Sequence, residues 1–162
     1  MYRFFATIHA RPAEATPAAV IELEGNTYRT LHIPPPLLSQ PFERDFESVI
    51  EAVCDWERMF VEPDGSFVWV SSAGAPAWQL DGNLYDRNEL LLFVDVKGAC
   101  PVEEFDRFLG ALGWPATPLM FQLTREAVFL DEAEFRRWAA RREPDKTDAT
   151  DASSQASSAR RP

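Results

Sequence analysis

Apolar and polar residues alternate along most of the chain, and this alternation predicts β-strands that bury one face. Turn-forming residues separate the alternating segments, so consecutive strands are expected to pair as hairpins. The clearest turn is Glu62-Pro63-Asp64-Gly65, because its proline and glycine stand where a type I turn followed by a left-handed residue needs them. Residues 10–18, rich in proline and alanine, are predicted to form a loop. The predicted strands span residues 2–9, 20–24, 28–33, 59–61, 66–71, 78–85, 90–96, 118–123 and 127–130.

Three segments instead carry apolar residues at the three- and four-residue spacing of a helix face. The first predicted helix spans residues 41–57 and the second residues 101–112, and the third begins after Asp131, which forms a capping box with Glu134. Hairpins combined with such helices predict an α+β fold, a mainly antiparallel sheet covered by three helices. We expect residues 1–142 to form a single compact domain, because they have the length of one ordinary domain.

The final segment differs in composition from the rest of the chain. Residues 143–162 are mostly Asp, Thr, Ser, Ala and Arg, and they include no large aliphatic or aromatic side chain that could anchor them to a core. Such an acidic, Ser/Ala-rich segment cannot bury enough apolar surface to offset the entropy of ordering it. It is predicted to be a disordered tail.

Two short segments resemble each other, Leu23-Glu24-Gly25-Asn26-Thr27-Tyr28 and Leu80-Asp81-Gly82-Asn83-Leu84-Tyr85. Each is followed by an apolar strand, a proline and an amphipathic helix, at an offset of roughly 57 to 60 residues. This order predicts an internal duplication of a βββαβ unit, with halves at residues 2–65 and 66–126. We interpret the shared acidic-Gly-Asn element as a backbone device, an acceptor followed by residues that tolerate positive φ.

The charge and the cysteine content restrict the partners and the compartment. The formal net charge is -10, from 26 Asp and Glu residues against 16 Lys and Arg residues, so nucleic acid is an unfavoured partner unless a local basic groove exists. Cys54 and Cys100 are too few for a disulfide framework. The sequence shows neither a signal-peptide pattern nor an apolar run of membrane-spanning length. We expect a soluble, cytoplasmic protein without membrane attachment.

Asp81 and the triplet Asp95-Val96-Lys97 are the strongest candidates for catalysis. They occur within a predicted order of helix, three strands, helix and strand. In this outline residues 41–123 resemble the core of the PD-(D/E)XK nucleases. The segment departs from that family at Leu80, where a proline is usual, and no basic cluster surrounds the candidate residues in the sequence.

The resemblance implies a role for each matching residue. Asp81 and Asp95 would hold Mg²⁺, and Lys97 would position the attacking water. Glu47 or Glu51 would supply a further carboxylate from the first helix. All of these roles rest on the resemblance.

The register of the hairpin that carries these residues decides whether they can meet. If Tyr85 pairs with Leu90 across a four-residue loop, Asp81 and Asp95 point to opposite faces of the sheet. If Asp86 pairs with Leu90, or a bulge shifts the register by one residue, Asp81 faces Asp95 directly. The alternating pattern allows either register.

Other patterns give weaker signals for a site. His9 and His32, the only histidines, show no zinc-ligand spacing with the two cysteines, and each is expected to be either hydrogen-bonded or exposed. The five tryptophans are expected to pack in the core rather than to line a ligand pocket.

Together these patterns favour a non-catalytic binding or interaction domain without a cofactor, in which a ligand or partner lies between two pseudo-symmetric halves. A protein partner or a second copy of the chain would suit such a domain. The alternative is a Mg²⁺-dependent nuclease that uses Asp81, Asp95 and Lys97.

Overall fold

The computed structural model describes residues 1–142, which form nine β-strands, three α-helices and one 3₁₀ turn. All nine strands belong to one antiparallel sheet, so the predicted α+β fold with three helices is confirmed. The strands are β1 (Tyr2–Ala10), β2 (Thr16–Leu23), β3 (Asn26–His32), β4 (Met59–Val61), β5 (Ser66–Val70), β6 (Gln79–Arg87), β7 (Leu90–Cys100), β8 (Leu119–Leu123) and β9 (Val128–Asp131). The helices are α1 (Phe46–Cys54), α2 (Val102–Ala111) and α3 (Glu132–Ala139).

The strand order is β2-β3-β9-β8-β1-β7-β6-β5-β4, which places the first strand in the middle of the sheet. β1 pairs with β7 on one side and with β8 on the other, although both strands are distant from it in sequence. The hairpins β2-β3 and β8-β9 lie on one side of β1, and β6-β7 and β4-β5 lie on the other. β1 therefore joins the two groups of hairpins into one sheet.

The three helices pack on one face of the sheet and form the main hydrophobic core with it. Alternate residues of β1 point into this core, where the ring of Phe4 meets Phe105 of α2 and Phe135 of α3 edge to face. Phe135 also stacks on Phe121 of β8, with ring centroids 4.0 Å apart. Burying each such side chain contributes about 1.5–3 kcal/mol. This aromatic cluster therefore holds α2 and α3 against the central strands.

The first helix is shorter than the predicted span 41–57. α1 begins at Phe46, because the Asp45 carboxylate accepts a hydrogen bond from the Ser48 N–H at 2.7 Å and so caps the helix. Upstream of the cap, the Phe42 N–H donates to the Leu91 carbonyl oxygen at 2.8 Å. This contact with β7 keeps the chain extended where the apolar spacing alone predicted a helix.

The start of α3 agrees with the sequence prediction, whereas the start of β2 does not. α3 begins where the capping signal predicts, since the Asp131 carboxylate accepts a hydrogen bond from the Glu134 N–H at 2.9 Å. β2 begins at Thr16, inside the predicted loop of residues 10–18, and its register with β3 shifts just after Pro17. A proline is tolerated there because β2 is an edge strand, where an N–H can go unpaired.

The two proposed halves share an order of elements. Residues 2–65 and 66–126 each contain three strands, a helix and a strand, but β1 lies apart from β2 and β3 whereas β5, β6 and β7 are consecutive neighbours. The shared motif also differs in conformation, because Glu24 and Gly25 form a turn with φ of 51° and 75°, whereas Gly82 lies inside β6. The common backbone role proposed for the motif is therefore wrong. The duplication itself stays a prediction.

No helix in the described part of the chain is long and apolar enough to cross a membrane. Cys54 is exposed and Cys100 is buried, and both are free thiols. The predicted disordered tail, residues 143–162, lies outside the described residues.

Candidate binding site on the open face of the sheet

The face of the sheet opposite the helices is covered along one side. There β3, β8 and β9 carry a small second core, in which Leu37 and Phe129 pack against Leu31, Ile33 and Met120. Leu37 belongs to the 3₁₀ turn that follows β3. This turn therefore covers the part of the face formed by β3, β8 and β9.

We call the remaining surface the open face; it is formed by the side chains of β1, β5, β6 and β7 that point away from the helices. Phe5, Val68 and Tyr85 lie on this face and are 39%, 36% and 39% exposed. Lys97 and Asp81 lie between Phe5 and Val68 in the register, so these are separate apolar positions on a face that also carries charged side chains.

The β6-β7 register places the three candidate residues on the open face, in an arrangement that differs from both predicted registers. Asp81 lies opposite Lys97, and Asn83 lies opposite Asp95. The hairpin turns through only Asn88 and Glu89, both at positive φ, and a register shift beside Tyr85 sets the face of the residues beyond it. Asp81 therefore shares a face with Asp95, as the bulge alternative requires. The two are not directly opposite, because the direct partner of Asp81 is Lys97, two residues beyond Asp95 on β7.

Each carboxylate already has a hydrogen-bond donor. The Thr7 hydroxyl of β1 donates to Oδ1 of Asp95 at 2.6 Å, and the Gln79 amide donates to Oδ1 of Asp81 at 2.8 Å. Thr7 lies opposite Asp95 in the β1-β7 pair, so the register itself creates the first of these bonds. Both hydrogen bonds stabilise the carboxylates without a cation.

The arrangement does not fit the Mg²⁺ site that the nuclease resemblance implies. Glu47 and Glu51 belong to α1, whose apolar side packs in the core on the other face of the sheet, so neither can join Asp81 and Asp95. Within residues 1–142 no group of three or more His, Cys, Asp or Glu side chains could hold a metal ion. The open face thus supplies two carboxylates in neighbouring rows without a third ligand.

Two of the candidate residues line a groove of about 550 Å³ at one end of the open face. Neighbouring strands are about 4.8 Å apart and residues on one face recur about every 6.7 Å, so two rows across three strands give a floor of roughly 10 Å by 7 Å. The floor consists of Phe5, Lys97 and Asp81 in one row and Arg3, Ala99 and Gln79 in the next. The other lining residues are Phe4, Ala77, Trp78, Gly98, Arg125 and Arg142.

The lining of this groove has the opposite charge balance to the rest of the chain. Within residues 1–142, four cationic side chains and one carboxylate, that of Asp81, line it. We therefore call it the cationic groove. A neighbouring concavity of about 460 Å³ is lined by Glu103 and Glu104 and by no Lys or Arg side chain of the described residues. The cationic groove is thus a local reversal of charge on an acidic protein.

The cations of the groove come from four separate segments of the chain. Arg3 lies on β1 and Lys97 on β7, while Arg125 lies in the β8-β9 turn and Arg142 follows α3. Lys97 was a site candidate from the sequence pattern, whereas no local motif links the three arginines. The pairing of β1 with β7 would have placed Arg3 beside Lys97, but a single sequence does not reveal this pairing.

Glycine is required at one position beneath the groove. Gly98 has φ of 127°, a conformation that L side chains rarely adopt. A Cβ at this position would lie 2.1 Å from the carbonyl oxygen of Gln79 on β6. The absence of a side chain thus lets β6 and β7 approach closely where they form the floor.

His9 lies deeper on the same face, beyond Thr7 on β1. It is 7% exposed, its ring lies 5.7 Å from those of Phe93 and Phe129, and neither ring nitrogen has a hydrogen-bond partner among the described residues. Burial lowers the pKa of His9, while Gln122 and Asp95 act in the opposite direction. The expectation that each histidine is hydrogen-bonded or exposed holds for the exposed His32, and for His9 it depends on the interaction with the Gln122 side chain.

The tryptophans are divided between the core and the groove. Trp69 and Trp138 are buried in the main core, as the sequence predicts. Trp78 packs its ring edge to face on Trp69, with centroids 5.0 Å apart, and also lines the cationic groove. Trp78 therefore lies between the groove and the core, with its ring packed on the core side.

Comparison of the chain with protein-family models, with curated protein sequences and with solved structures gives no significant match.

Proposed function

We propose that this protein is a non-catalytic binding module that holds a small ligand in the cationic groove. The observation that carries the proposal is the convergence of Arg3, Lys97, Arg125 and Arg142 around an exposed aromatic floor at Phe5. The volume of about 550 Å³ lies within the range of small-molecule sites, roughly 300–1,000 Å³.

The position of the groove agrees with a ligand held between the two proposed halves. β1 belongs to residues 2–65 and the β6-β7 hairpin to residues 66–126, and the floor of the groove spans all three strands. Binding there would use strands that are rigidly paired in the middle of the sheet. Such a site needs little reorganisation when a ligand enters.

Binding without catalysis is favoured by the state of the polar groups on the open face. The carboxylates of Asp81 and Asp95 accept hydrogen bonds from Gln79 and Thr7, and the described residues offer no third metal ligand beside them. We also propose a cytosolic location, which would keep Cys54 and Cys100 reduced.

A thermal-shift screen with neutral, cationic and anionic small molecules tests this function. We expect at least one chemical class to raise the melting temperature of the full chain, and the bound compound to be recovered chemically unchanged by mass spectrometry. Phe5→Ala should abolish the shift, because Phe5 forms part of the floor. Tyr85→Ala is the matched control, since Tyr85 is equally exposed on the same face but does not line the groove.

Two results would contradict the proposal. One is a screen in which no class of compound stabilises the protein. The other is stabilisation that survives Phe5→Ala as fully as it survives Tyr85→Ala.

A homodimer or a protein partner is a different way for the domain to bind. Pairing through the sheet edges is restricted, because β4 has three residues and β2 carries Pro17, which lacks an N–H donor. Sedimentation of the full chain decides this point. We expect a monomer, and a stable dimer that dissociates when Phe60 on β4 or Val20 on β2 is replaced by lysine would favour edge pairing instead.

A Mg²⁺-dependent nuclease is the second candidate, because the register does bring Asp81, Asp95 and Lys97 to one face. Nicking of plasmid DNA in the presence of Mg²⁺, lost in Lys97→Ala and retained in Arg87→Ala, would support it. Arg87 is a suitable control because it is exposed at the far end of β6. We expect no nicking above background by the unsubstituted protein or by the two variants.

A further inference from the structure

We infer that the ligand of the cationic groove is a small molecule that carries a phosphate or carboxylate group beside an apolar, planar part. This inference rests on the function proposed above and adds the chemical class of the ligand. It follows from the charges of the lining, from the placement of those charges in the register, and from the aromatic surface between them.

The first argument is the charge of the lining. Among the described residues that line the groove, cations outnumber carboxylates four to one, whereas in the whole chain 26 acidic residues outnumber 16 basic ones. The carboxylate of this lining, Asp81, already accepts a hydrogen bond from Gln79. A protein of net charge -10 repels anions at long range. An anion that enters this groove meets a local field of the opposite sign.

The second argument is the placement of Arg3 and Lys97. Phe5 is paired with Lys97 and Arg3 with Ala99, so Arg3 and Lys97 are diagonal neighbours across the β1-β7 pair. Diagonal neighbours have Cα atoms about 7–8 Å apart, a separation that two long side chains can bridge to reach one anion. Guanidinium groups bind phosphate and carboxylate through paired hydrogen bonds, to which an ammonium adds a point charge.

Arg142 is held in place at the rim of the groove. Its guanidinium carbon lies 4.8 Å from the ring centroid of Trp138, and its Nε lies 3.8 Å from Oε1 of Glu24. These contacts orient the cation and partly compensate its charge. We therefore expect Arg142 to contribute less to anion binding than Arg3 and Lys97.

The third argument is the apolar surface between the charges. Phe5 is 39% exposed and is paired with Lys97, and it lies between Lys97 and Arg3 on the open face. An aromatic side chain left exposed between cations provides a surface on which a planar group can stack. A bare inorganic anion would leave this surface in contact with water, so the ligand should carry an apolar part as well.

Isothermal titration of the full chain with phenyl phosphate, benzoate, phenol and inorganic phosphate tests the inference. We expect phenyl phosphate or benzoate to bind at least about tenfold more tightly than phenol, the factor that corresponds to about 1.4 kcal/mol. The comparison of phenyl phosphate with benzoate decides between a phosphate and a carboxylate. Inorganic phosphate should bind more weakly than phenyl phosphate, because it has no ring to contact Phe5.

Variants connect the binding to the groove. Lys97→Gln and Arg3→Gln should each weaken binding of the anionic probe about tenfold, and Arg87→Gln, which removes a cation elsewhere on β6, should leave it unchanged. Phe5→Ala should weaken the binding of phenyl phosphate while leaving inorganic phosphate unaffected. Raising the ionic strength should weaken the binding of the anionic probes but not of phenol, because added salt shortens the distance of about 8 Å at 0.15 M beyond which exposed charges are largely screened.

The possible failures separate the two claims. Phenol that binds as tightly as phenyl phosphate, with affinity lost in Phe5→Ala, would overturn the assignment of an anionic ligand while the groove remained a binding site. Equal losses in Lys97→Gln and Arg87→Gln would also overturn that assignment. No binding of any probe would contradict both the ligand class and the binding function.

Discussion

Lys97 lies directly opposite Asp81 in the β6-β7 pair, so the floor of the cationic groove holds one cation and one carboxylate side by side. The two side chains should act on an anionic ligand in opposite directions. Asp81→Asn removes a nearby negative charge, and we expect it to raise the affinity for phenyl phosphate about threefold, which corresponds to about 0.7 kcal/mol of relieved repulsion. Titration calorimetry measures this change.

The same variant separates binding from catalysis. If Asp81 were a metal ligand of a nuclease, Asp81→Asn would abolish activity and lower the affinity for Mg²⁺. An unchanged or reduced affinity for phenyl phosphate in Asp81→Asn would be inconsistent with the charge balance described for the groove.

The glycine of the second acidic-Gly-Asn motif is required for packing. Gly82 lies opposite Phe67 of β5, and a Cβ there would lie 2.3 Å from Cζ of the Phe67 ring and 2.5 Å from the Asp95 carbonyl oxygen. Because the Asp95 oxygen belongs to the backbone of a central strand, it cannot move aside easily. We expect Gly82→Ala to lower the free energy of unfolding by about 3 kcal/mol, as measured by urea denaturation.

Gly110 provides the matched control for this substitution. It lies in α2, and a Cβ at this position would meet no atom within 4 Å. Gly110→Ala should therefore raise the free energy of unfolding by about 0.5–1 kcal/mol, because alanine is the better helix former. Similar effects of the two substitutions would show that the close contact at Gly82 is relieved without cost.

The burial of His9 makes stability depend on pH. Burial lowers the pKa of His9 in the folded protein, so the unfolded chain binds a proton more readily than the folded one. Stability should be greatest above the ordinary histidine value of about 6.5 and should fall as the pH drops below it. Urea denaturation at a series of pH values should show this loss, and it should be smaller in His9→Phe, whose ring can lie between Phe93 and Phe129.

The prediction would be contradicted if the stability of the unsubstituted protein and that of His9→Phe depended on pH in the same way. In that case the proton uptake would belong to groups other than His9.

The two cysteines should differ strongly in reactivity. Burial raises the pKa of the Cys100 thiol to about 12, with Glu104 and Asp106 adding to the effect, whereas Cys54 is exposed. The thiolate is the reactive form, so near pH 8 a disulfide reagent should modify Cys54 in the native protein and both thiols in urea. Cys54→Ser should show no rapid modification in the native state, and a second rapidly reacting thiol would contradict the buried position of Cys100.

Most elements of the fold could be predicted from sequence, because hairpins and amphipathic helices are local patterns. The start of α1 differed from the prediction because of one local contact and one distant contact. α1 begins at Phe46 since Asp45 caps it and Phe42 is bound to Leu91 of β7. The central position of β1 could not be predicted, because its neighbours β7 and β8 are far away in the chain.

The candidate site was predicted in part. Alternation gave the face of each side chain within a strand, but the register of β6 with β7 depended on Asn88 and Glu89, which adopt positive φ in a two-residue turn. Glu89 is not a residue that usually favours this conformation, so the sequence predicted a longer loop. The arginines of the groove carry no local signal and are brought together only by the complete sheet.

The most direct test of the account is an NMR titration of the isotope-labelled full chain with phenyl phosphate, followed through backbone amides and arginine side chains. We predict that the largest chemical-shift changes occur at Arg3, Phe5 and Lys97, and that phenol gives much smaller changes at the same concentrations. The titration should extend to about 10 mM, above the Kd of about 1 mM that corresponds to about 4 kcal/mol of binding free energy. Changes centred on Glu103 and Glu104, or the absence of changes at Arg3, Phe5 and Lys97, would contradict the assignment of the cationic groove as the binding site.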